Sequence, residues 1–141
     1  MKPCAFVLLL AAACASSRQD LPPVSIEVAQ YDAIAGAFIY NGPTSVRYEI
    51  TVHNDTDQPV TLHRIRIATS GAGAYVIPPT DTPTNIQAAP HSSASASITL
   101  WGTSLGGQLY SHAPVTLRYT GYFDSGKGAF LRAGTAILQQ E

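Results

Sequence analysis

Charged side chains are scarce in this chain: Asp, Glu, Lys and Arg make up 12% of its 141 residues, about half the usual share of roughly a quarter. The polar surface must therefore come from Ser, Thr, Asn and Gln. This balance favours strands over exposed helices, which usually draw on Glu and Lys. The basic residues are scattered and form no stripe. Because nucleic-acid binding needs clustered positive charge to release counterions from phosphates, we expect no nucleic-acid partner.

Cysteine is also scarce, since the chain contains only Cys4 and Cys14. The chain after residue 20 has none, so we expect no disulfide, no cysteine-ligated metal and no catalytic thiol there. The length is that of one domain. Apolar residues make up 45% of the sequence, which is ordinary for a globular protein and argues against disorder.

The first residues have the order of a secretory signal peptide. Met1 and Lys2 give a short positive start, residues 5–13 are an unbroken apolar run, and small residues follow at 14–17. The apolar run is far shorter than the ~20 residues that a membrane-spanning helix needs. It therefore predicts an export signal and not a stable anchor.

Two cleavage sites compete in this segment. Residues 10–14 (LAAAC) resemble a bacterial lipobox, in which Cys14 becomes the first mature residue and carries acyl chains, although Ala11 stands where that family usually has Leu. The alternative is cleavage after Ala15 at an Ala-x-Ala site, which would release a soluble protein that begins at Ser16. A lone exported thiol is better explained as a lipid acceptor. We therefore favour lipidation of Cys14, because two or more acyl chains suffice for stable attachment to a membrane.

These features predict three parts: a lipoprotein-type signal peptide at 1–13, the lipidated Cys and a tether at 14–23, and a β domain at 24–141. The residue after Cys14 is Ala15 and not Asp. By resemblance to lipoproteins of bacteria with two membranes, this indicates the outer membrane, facing the periplasm. A freely secreted soluble protein is the alternative.

Strict alternation of apolar and polar residues is clearest at 46–53 (VRYEITVH), which predicts a strand buried on one face. Residues 54–59 (NDTDQP) have turn chemistry, and residues 60–68 predict a return strand that completes a hairpin. The apolar phase of this second strand changes partway. A bulge near His63 or Arg64 would bring both halves onto one face.

Turn signals separate several further apolar or alternating segments, at 24–28, 38–40, 75–77, 93–100, 115–123 and 130–138. The Thr- and Pro-rich stretch that reaches Pro83 is interpreted as a loop. Seven or eight short strands at this spacing predict an all-β, antiparallel sandwich of the immunoglobulin or fibronectin type.

Two stretches carry a resemblance to a known family. Residues 46–62 combine a strand, an Asn at its end and a return strand, and residues 88–93 (AAPHSS) place a proline and small residues before an alternating strand. This pattern resembles the late-embryogenesis-abundant group 2 proteins, whose domain is also called WHy. The Asn-Pro pair of that family is absent, because Asp55 follows Asn54. The resemblance implies an immunoglobulin-like sandwich and brings no catalytic residues.

Histidines and acidic residues are the candidate bases and metal ligands. In the predicted hairpin, His53 and His63 would lie about 10 Å apart at ~3.3 Å per residue, too far to share a zinc ion. We interpret them as surface residues, together with His91 and His112. The cluster Asn54, Asp55 and Asp57 lacks the spacing of a calcium loop and fits turn chemistry instead.

The sequence also offers no recognisable catalytic set. It has no Gly-x-Ser-x-Gly elbow and no persuasive Ser/His/Asp combination, so we predict no enzyme, no cofactor and no metal. Among the aromatic residues, Trp101, Tyr119 and Phe123 are expected in the core between the sheets. Tyr122 lies on the polar face of its strand and is the candidate exposed aromatic contact.

The function that fits these features is a membrane-tethered, non-enzymatic interaction or structural module of the cell envelope, acting on an envelope protein partner. Exposed loops and sheet edges would provide the recognition. Two alternatives stay open. One is an accessory or chaperone-like subunit of an envelope transport or assembly system, and the other is an enzyme with an unrecognised site.

Overall fold

The computed structural model describes residues 21–31, 38–107 and 109–140. These residues form two four-stranded antiparallel sheets, sheet A in the order β1-β2-β6-β4 and sheet B in the order β5-β3-β7-β8. The predicted all-β sandwich of the immunoglobulin or fibronectin type is confirmed. The strands are β1 (Val24–Tyr31), β2 (Gly42–Asn54), β3 (Val60–Thr69), β4 (Tyr75–Val76), β5 (Thr80–Ala88), β6 (Ser92–Ser104), β7 (Val115–Ser125) and β8 (Gly128–Leu138).

The core lies between the sheets and follows the two-residue period of the strands. In β2, Tyr48, Ile50 and Val52 are fully buried, whereas the residues between them are partly exposed. Leu62 and Leu117 of sheet B are equally buried. Alternation in the sequence therefore identifies the core face of the central strands.

The predicted bulge is present in β3. Pairing of this strand with both β5 and β7 shifts in register between Leu62 and Arg64. Because a bulge inserts one extra residue, the two halves of the strand point to the same side. Val60, Leu62, Ile65 and Ile67 are consequently all buried.

The predicted hairpin is wrong, although both of its strands exist. β2 pairs with β1 and β6, whereas β3 pairs with β5 and β7, so residues 55–59 cross from sheet A to sheet B. Each strand buries one face, and this pattern suits two strands that face each other across a core as well as two that pair side by side. The ~10 Å spacing expected for a hairpin, which set His53 apart from His63, therefore has no basis in the fold.

The predicted loop up to Pro83 is a second error, because β5 spans Thr80–Ala88 and includes this residue. β5 is the edge strand of sheet B, and a proline is tolerated there because its missing N–H can face the open side. The Thr residues around it fit the pleat. Residues 38–40, predicted as a short strand, form a turn and a bend instead.

Trp101 is the main error among the core predictions, because its side chain is 69% exposed. Leu100 takes the buried position of β6, so the two-residue period turns Trp101 to the outer face of sheet A. Phe123 is buried as predicted. Tyr119 is partly buried against the core, and its hydroxyl donates to the carbonyl of Ile26 at 2.9 Å.

The N-terminal segment reaches the fold beside β1 and β8. The guanidinium of Arg132 donates to the carbonyl oxygens of Pro22 and Val24, the second at 2.9 Å, and so ties the first described residues to β8. The predicted signal peptide and Cys14 lie outside the described residues. Among the described residues, no helix has the length and hydropathy needed to span a bilayer.

Candidate partner-binding surface

The strand register gives the sandwich two distinct ends. Val24, Asn54 and Ser92 share one level of sheet A, so β1 starts where β2 ends and β6 starts. We call this the proximal end, because the N-terminal segment enters there. At the opposite, distal end, Gly42 pairs with Ser104, and the loops that flank these two positions lie together.

Exposed apolar side chains concentrate in the distal loops. Tyr40 is 83% exposed and Leu109 is 89% exposed. Single exposed apolar residues are ordinary, but a group of them at one end of a domain is typical of an interaction site. We call the group the distal apolar surface and define it as Ile39, Tyr40, Leu105, Leu109 and Tyr110.

Hydrogen bonds between the loops hold the backbone under this surface. Gly107 N–H donates to the Ile39 carbonyl at 2.8 Å, and Ser104 Oγ donates to the Phe38 carbonyl at 2.9 Å. Gly106 has φ of +69°, and a Cβ there would lie 2.6 Å from the backbone nitrogen of Asn41. Only glycine allows this close approach without strain. The two loops therefore form one connected platform.

A tight turn presents the other half of the surface. The N–H groups of Tyr110 and Ser111 donate to the Gly107 carbonyl at 3.2 and 3.1 Å, and Ala113 N–H donates to the Tyr110 carbonyl at 2.9 Å. These bonds satisfy the backbone locally and leave the Tyr110 ring half exposed. The apolar groups are thus presented on a hydrogen-bonded loop, and surfaces ordered in advance in this way lose less entropy in binding.

A buried polar network supports the platform from below. Tyr48 donates through its hydroxyl to the Tyr75 hydroxyl at 2.9 Å, and Tyr75 donates to Gln30 Oε1 at 2.8 Å. The rings of Phe38 and Tyr75 have centroids 4.8 Å apart. Burial raises the pKa of Tyr75 to about 12 and also raises the pKa of Tyr48, next to the Tyr75 hydroxyl. Both phenols therefore stay neutral at physiological pH.

A Ser-His-Glu network on sheet A was missed by sequence reasoning. His53 Nδ1 lies 2.7 Å from Ser93 Oγ, and its Nε2 lies 3.2 Å from Glu27 Oε2. The sequence does indicate that all three residues point outward, because each occupies a polar position of an alternating strand. It does not indicate that they meet, because this depends on the register of β1, β2 and β6. Side chains, and not N–H groups, point out of a sheet face, so this face offers no backbone donors for an oxyanion. We interpret the network as surface hydrogen bonding.

Tyr122, the predicted aromatic contact, lies on the outer face of sheet B and is half-buried. The guanidinium of Arg64 covers its ring at 4.1 Å from the centroid. Next to it, Arg66 Nη2 lies 2.6 Å from Asp81 Oδ2, and this hydrogen bond lowers the pKa of the Asp81 carboxyl. Tyr122 is thus engaged in a cation–π contact and borders an apolar depression of about 470 Å³ that includes Leu131.

The remaining candidate ligands are placed separately. His63 Nε2 lies 2.9 Å from Asp124 Oδ2, and His91 Nε2 lies 2.8 Å from Asp57 Oδ1. Within the ranges that the structure describes, no group of three or more His, Cys, Asp or Glu side chains is placed to hold a metal ion. His53, His63 and His91 each face a carboxylate at the surface instead.

Asn54 has a structural role. Its Nδ2 lies 2.8, 3.1 and 2.9 Å from the carbonyl oxygens of Gln58, Ala88 and Ala89. Its Oδ1 accepts from the N–H and the hydroxyl of Thr56 at 3.0 and 2.7 Å. The side chain is buried, and its hydrogen-bonding groups are used within the fold.

Solved structures share this architecture at low sequence identity. A crystal structure of a protein from Archaeoglobus fulgidus superposes with a TM-score of 0.52 and 8% identity, covering 80% of this chain and 91% of that one. A putative ApaA protein from Bordetella pertussis superposes with a TM-score of 0.56 and 11% identity, covering 83% of this chain and 91% of that one. No protein-family model matches the chain, and no curated protein sequence matches it. The likeness concerns the fold alone.

Proposed function

We propose that this protein is a lipid-anchored, non-enzymatic interaction module of the cell envelope that binds an envelope protein through the distal apolar surface. The observation that carries the proposal is the concentration of exposed apolar residues on hydrogen-bonded loops at the end opposite the N-terminal segment. Aromatic and aliphatic side chains on a rigid platform are the usual anchors of protein interfaces.

The anchor in this proposal is acylated Cys14, with the outer membrane as its location and the periplasm as the compartment of the domain. A chain from Cys14 to Leu21 spans at most about 25 Å at 3.3–3.6 Å per residue. The domain would therefore stay close to the membrane while the distal apolar surface remains accessible to a protein partner. We also propose that residues 46–62 are related to the late-embryogenesis-abundant group 2 domains. This relation implies no catalytic role.

Site-specific photo-crosslinking in cells tests the binding surface. A photoreactive phenylalanine analogue at Tyr40 or Leu109 should give the same discrete adduct, because both side chains belong to one surface. The matched control is Gln87, an exposed residue on the outer face of sheet B, which should give none. Adducts at Gln87 but not at the two distal positions would contradict the assignment.

The identity of the crosslinked protein separates the two functional alternatives. A component of a transport or assembly machine would make this chain its accessory or chaperone-like subunit. Whichever protein is crosslinked, Tyr40→Asp and Leu109→Asp should each abolish the adduct formed from the other position. The control Gln87→Asp should not.

Cys14→Ser tests the anchor. A hydroxyl does not replace the thiol as lipid acceptor, so the variant should fail to label with a fatty-acid analogue and should either stay as an uncleaved precursor or be cut after Ala15 and released. The native protein should label and partition into detergent. If the native protein is found in the soluble fraction with Ser16 as its first residue, the lipid anchor is wrong and the domain is freely secreted.

A further inference from the structure

We propose that two copies of this chain pair antiparallel along the open edge of β6 and join their sheets A into one continuous sheet. β6 pairs along its whole length with β2, but on its other side, within the described part of the chain, only Thr103 and Ser104 have a strand partner, the short β4. Residues 92–101 therefore present a row of backbone N–H and C=O groups that no described strand covers, whereas Gly102 already lies against the Val76 carbonyl.

This edge lacks the protection that other edges of the sandwich carry. β1 contains Glu27, β5 contains Asp81 and Pro83, and β8 contains Arg132. Charge and proline are the usual means of preventing edge-to-edge pairing. Residues 92–102 (SSASASITLWG) contain neither, so the two β6 strands bring no opposed charges together.

The inner side of the edge is also incompletely covered. Tyr48, Ile50 and Val52 are fully buried, but their partners on β6 are exposed or half-buried, although they have the same inward parity. These partners are Ile98, Ala96 and Ala94. The core thus opens along β6, where another strand could close it.

A two-fold axis at Ser97 gives a self-complementary register. It places Ala96 opposite Ile98 of the second copy, so that a small side chain meets a large one on the core side. On the outer side, Ser95 meets Thr99 and Ser97 meets Ser97, which extends the hydroxyl ladder already formed by Thr51 and Ser95 at 2.8 Å.

The ends of this register are compatible as well. β4 pairs with Thr103 and Ser104, which would lie opposite residues 91 and 90 of the second copy, where the chain has already left the sheet. The open edge from residue 92 to 101 is about 31 Å long, and a two-layer sandwich edge is about 20 Å wide, which gives on the order of 600 Å² for each copy. This area is at the lower end of the range that centres on ~800 Å² per partner for stable interfaces.

Disulfide trapping tests the pairing on the full-length chain. Ser97→Cys places two thiols across the axis at a Cα separation of about 4.5–5.5 Å, within disulfide range, and should give a covalent homodimer under mild oxidation. Ser95→Cys should not crosslink with itself, because its partner position is Thr99, whereas Ser95→Cys combined with Thr99→Cys should. Ser25→Cys, on the same face of β1, is the remote control.

Sedimentation velocity of the membrane-extracted protein gives the second measurement. The native protein should be dimeric at micromolar concentration, Ser97→Asp should weaken the dimer at least tenfold because it opposes two charges, and Ser25→Asp should not. A monomeric native protein, equal crosslinking by Ser95→Cys alone, or a Ser97→Cys adduct with a different protein would overturn the proposal.

Discussion

Asn54 joins three segments of the proximal end through one buried side chain. Its amide reaches the carbonyls of Gln58, Ala88 and Ala89 and accepts from Thr56. Asn54→Ala would leave buried carbonyls without a partner, so we expect the free energy of unfolding to fall by about 2–4 kcal/mol in urea titrations.

The control for this prediction is Asn85→Ala on the exposed face of β5, where the side-chain oxygen accepts one long contact of 3.4 Å from Gln87. This change should stay within about 0.5 kcal/mol. Equal losses in the two variants would mean that the Asn54 network does not stabilise the fold.

The buried tyrosine pair predicts an alkaline loss of stability. Burial raises the pKa of Tyr75 to about 12 and raises that of Tyr48 in the folded state, whereas an unfolded tyrosine ionises near 10. The neutral phenols therefore contribute fully below about pH 10, and this contribution is lost as the pH rises towards 12. The free energy of unfolding should fall there by up to about 1.4 kcal/mol per pH unit for each phenol.

Urea unfolding at pH 9 to 12 measures this slope. Tyr75→Phe should flatten it, because one ionisable phenol is removed from the core. Tyr40→Phe removes an exposed phenol and should leave the slope as in the native protein. A native slope of zero over this range would show that the Tyr48 and Tyr75 phenols are not shielded from water.

Residue-scale features were predictable where strand parity decides them. The buried face of β2 and the bulge of β3 follow from alternation and from its interruption. The prediction for Trp101 is wrong because its odd position in β6, and not the size of its ring, decides which face it occupies. The role of Asn54 could not be derived, since two of its three carbonyl partners come from residues 88 and 89, far along the chain.

At the scale of the element, β4 depends on a glycine in its neighbour. A Cβ at Gly102 would lie 2.4 Å from the carbonyl oxygen of Val76, and β4 pairs with β6 at only two positions. Gly102→Ala should therefore displace β4 and lower the free energy of unfolding by about 1–3 kcal/mol. Thr103→Ala, at the adjacent exposed position, should cost less than about 0.5 kcal/mol. Loss of hydrogen-exchange protection at residues 75–77 in the Gly102 variant alone would identify β4 as the displaced element.

At the scale of the element, the sequence did not allow us to predict which sheet each strand joins. The 54–59 turn has the same composition whether it closes a hairpin or crosses between sheets. The choice depends on partners that are distant in sequence, since β2 pairs with β6 and β3 pairs with β7. β5 was not predicted because Pro83 indicates a loop unless the strand is known to lie at the edge of a sheet. The position of a strand in its sheet also depends on distant partners.

At the scale of the whole molecule, one core without covalent links should unfold as one unit. The buried apolar residues of both sheets form a single cluster, and residues 21–140 contain no cysteine. We expect one cooperative urea transition by far-UV circular dichroism, with the same midpoint with and without a thiol reductant. Trp101 is already exposed, so its fluorescence should change little. A second transition, or a midpoint lowered by the reductant, would contradict this prediction.

The candidate site is also a whole-molecule feature, which explains why it was not predicted. Ser104 and Phe38 are 66 residues apart in sequence and meet at 2.9 Å. The apolar residues around them occur singly in polar loops. They form a surface only because several strands end at the same end of the sandwich and bring these loops together. The sequence indicates that loops are the place of recognition, but it does not indicate which loops lie together.

The placement of the N-terminal segment has a mechanical consequence. A pull between a tether at the proximal end and a partner held at the distal end acts along the strand axes. β1 has eight residues, each paired with β2, and Arg132 fastens its start to β8. Such a force shears the ladder, so the pairs must fail together, whereas a force across the strands would open them one after another. With the lipid tether and the envelope partner proposed above, this orientation would let the sandwich resist tension between the two.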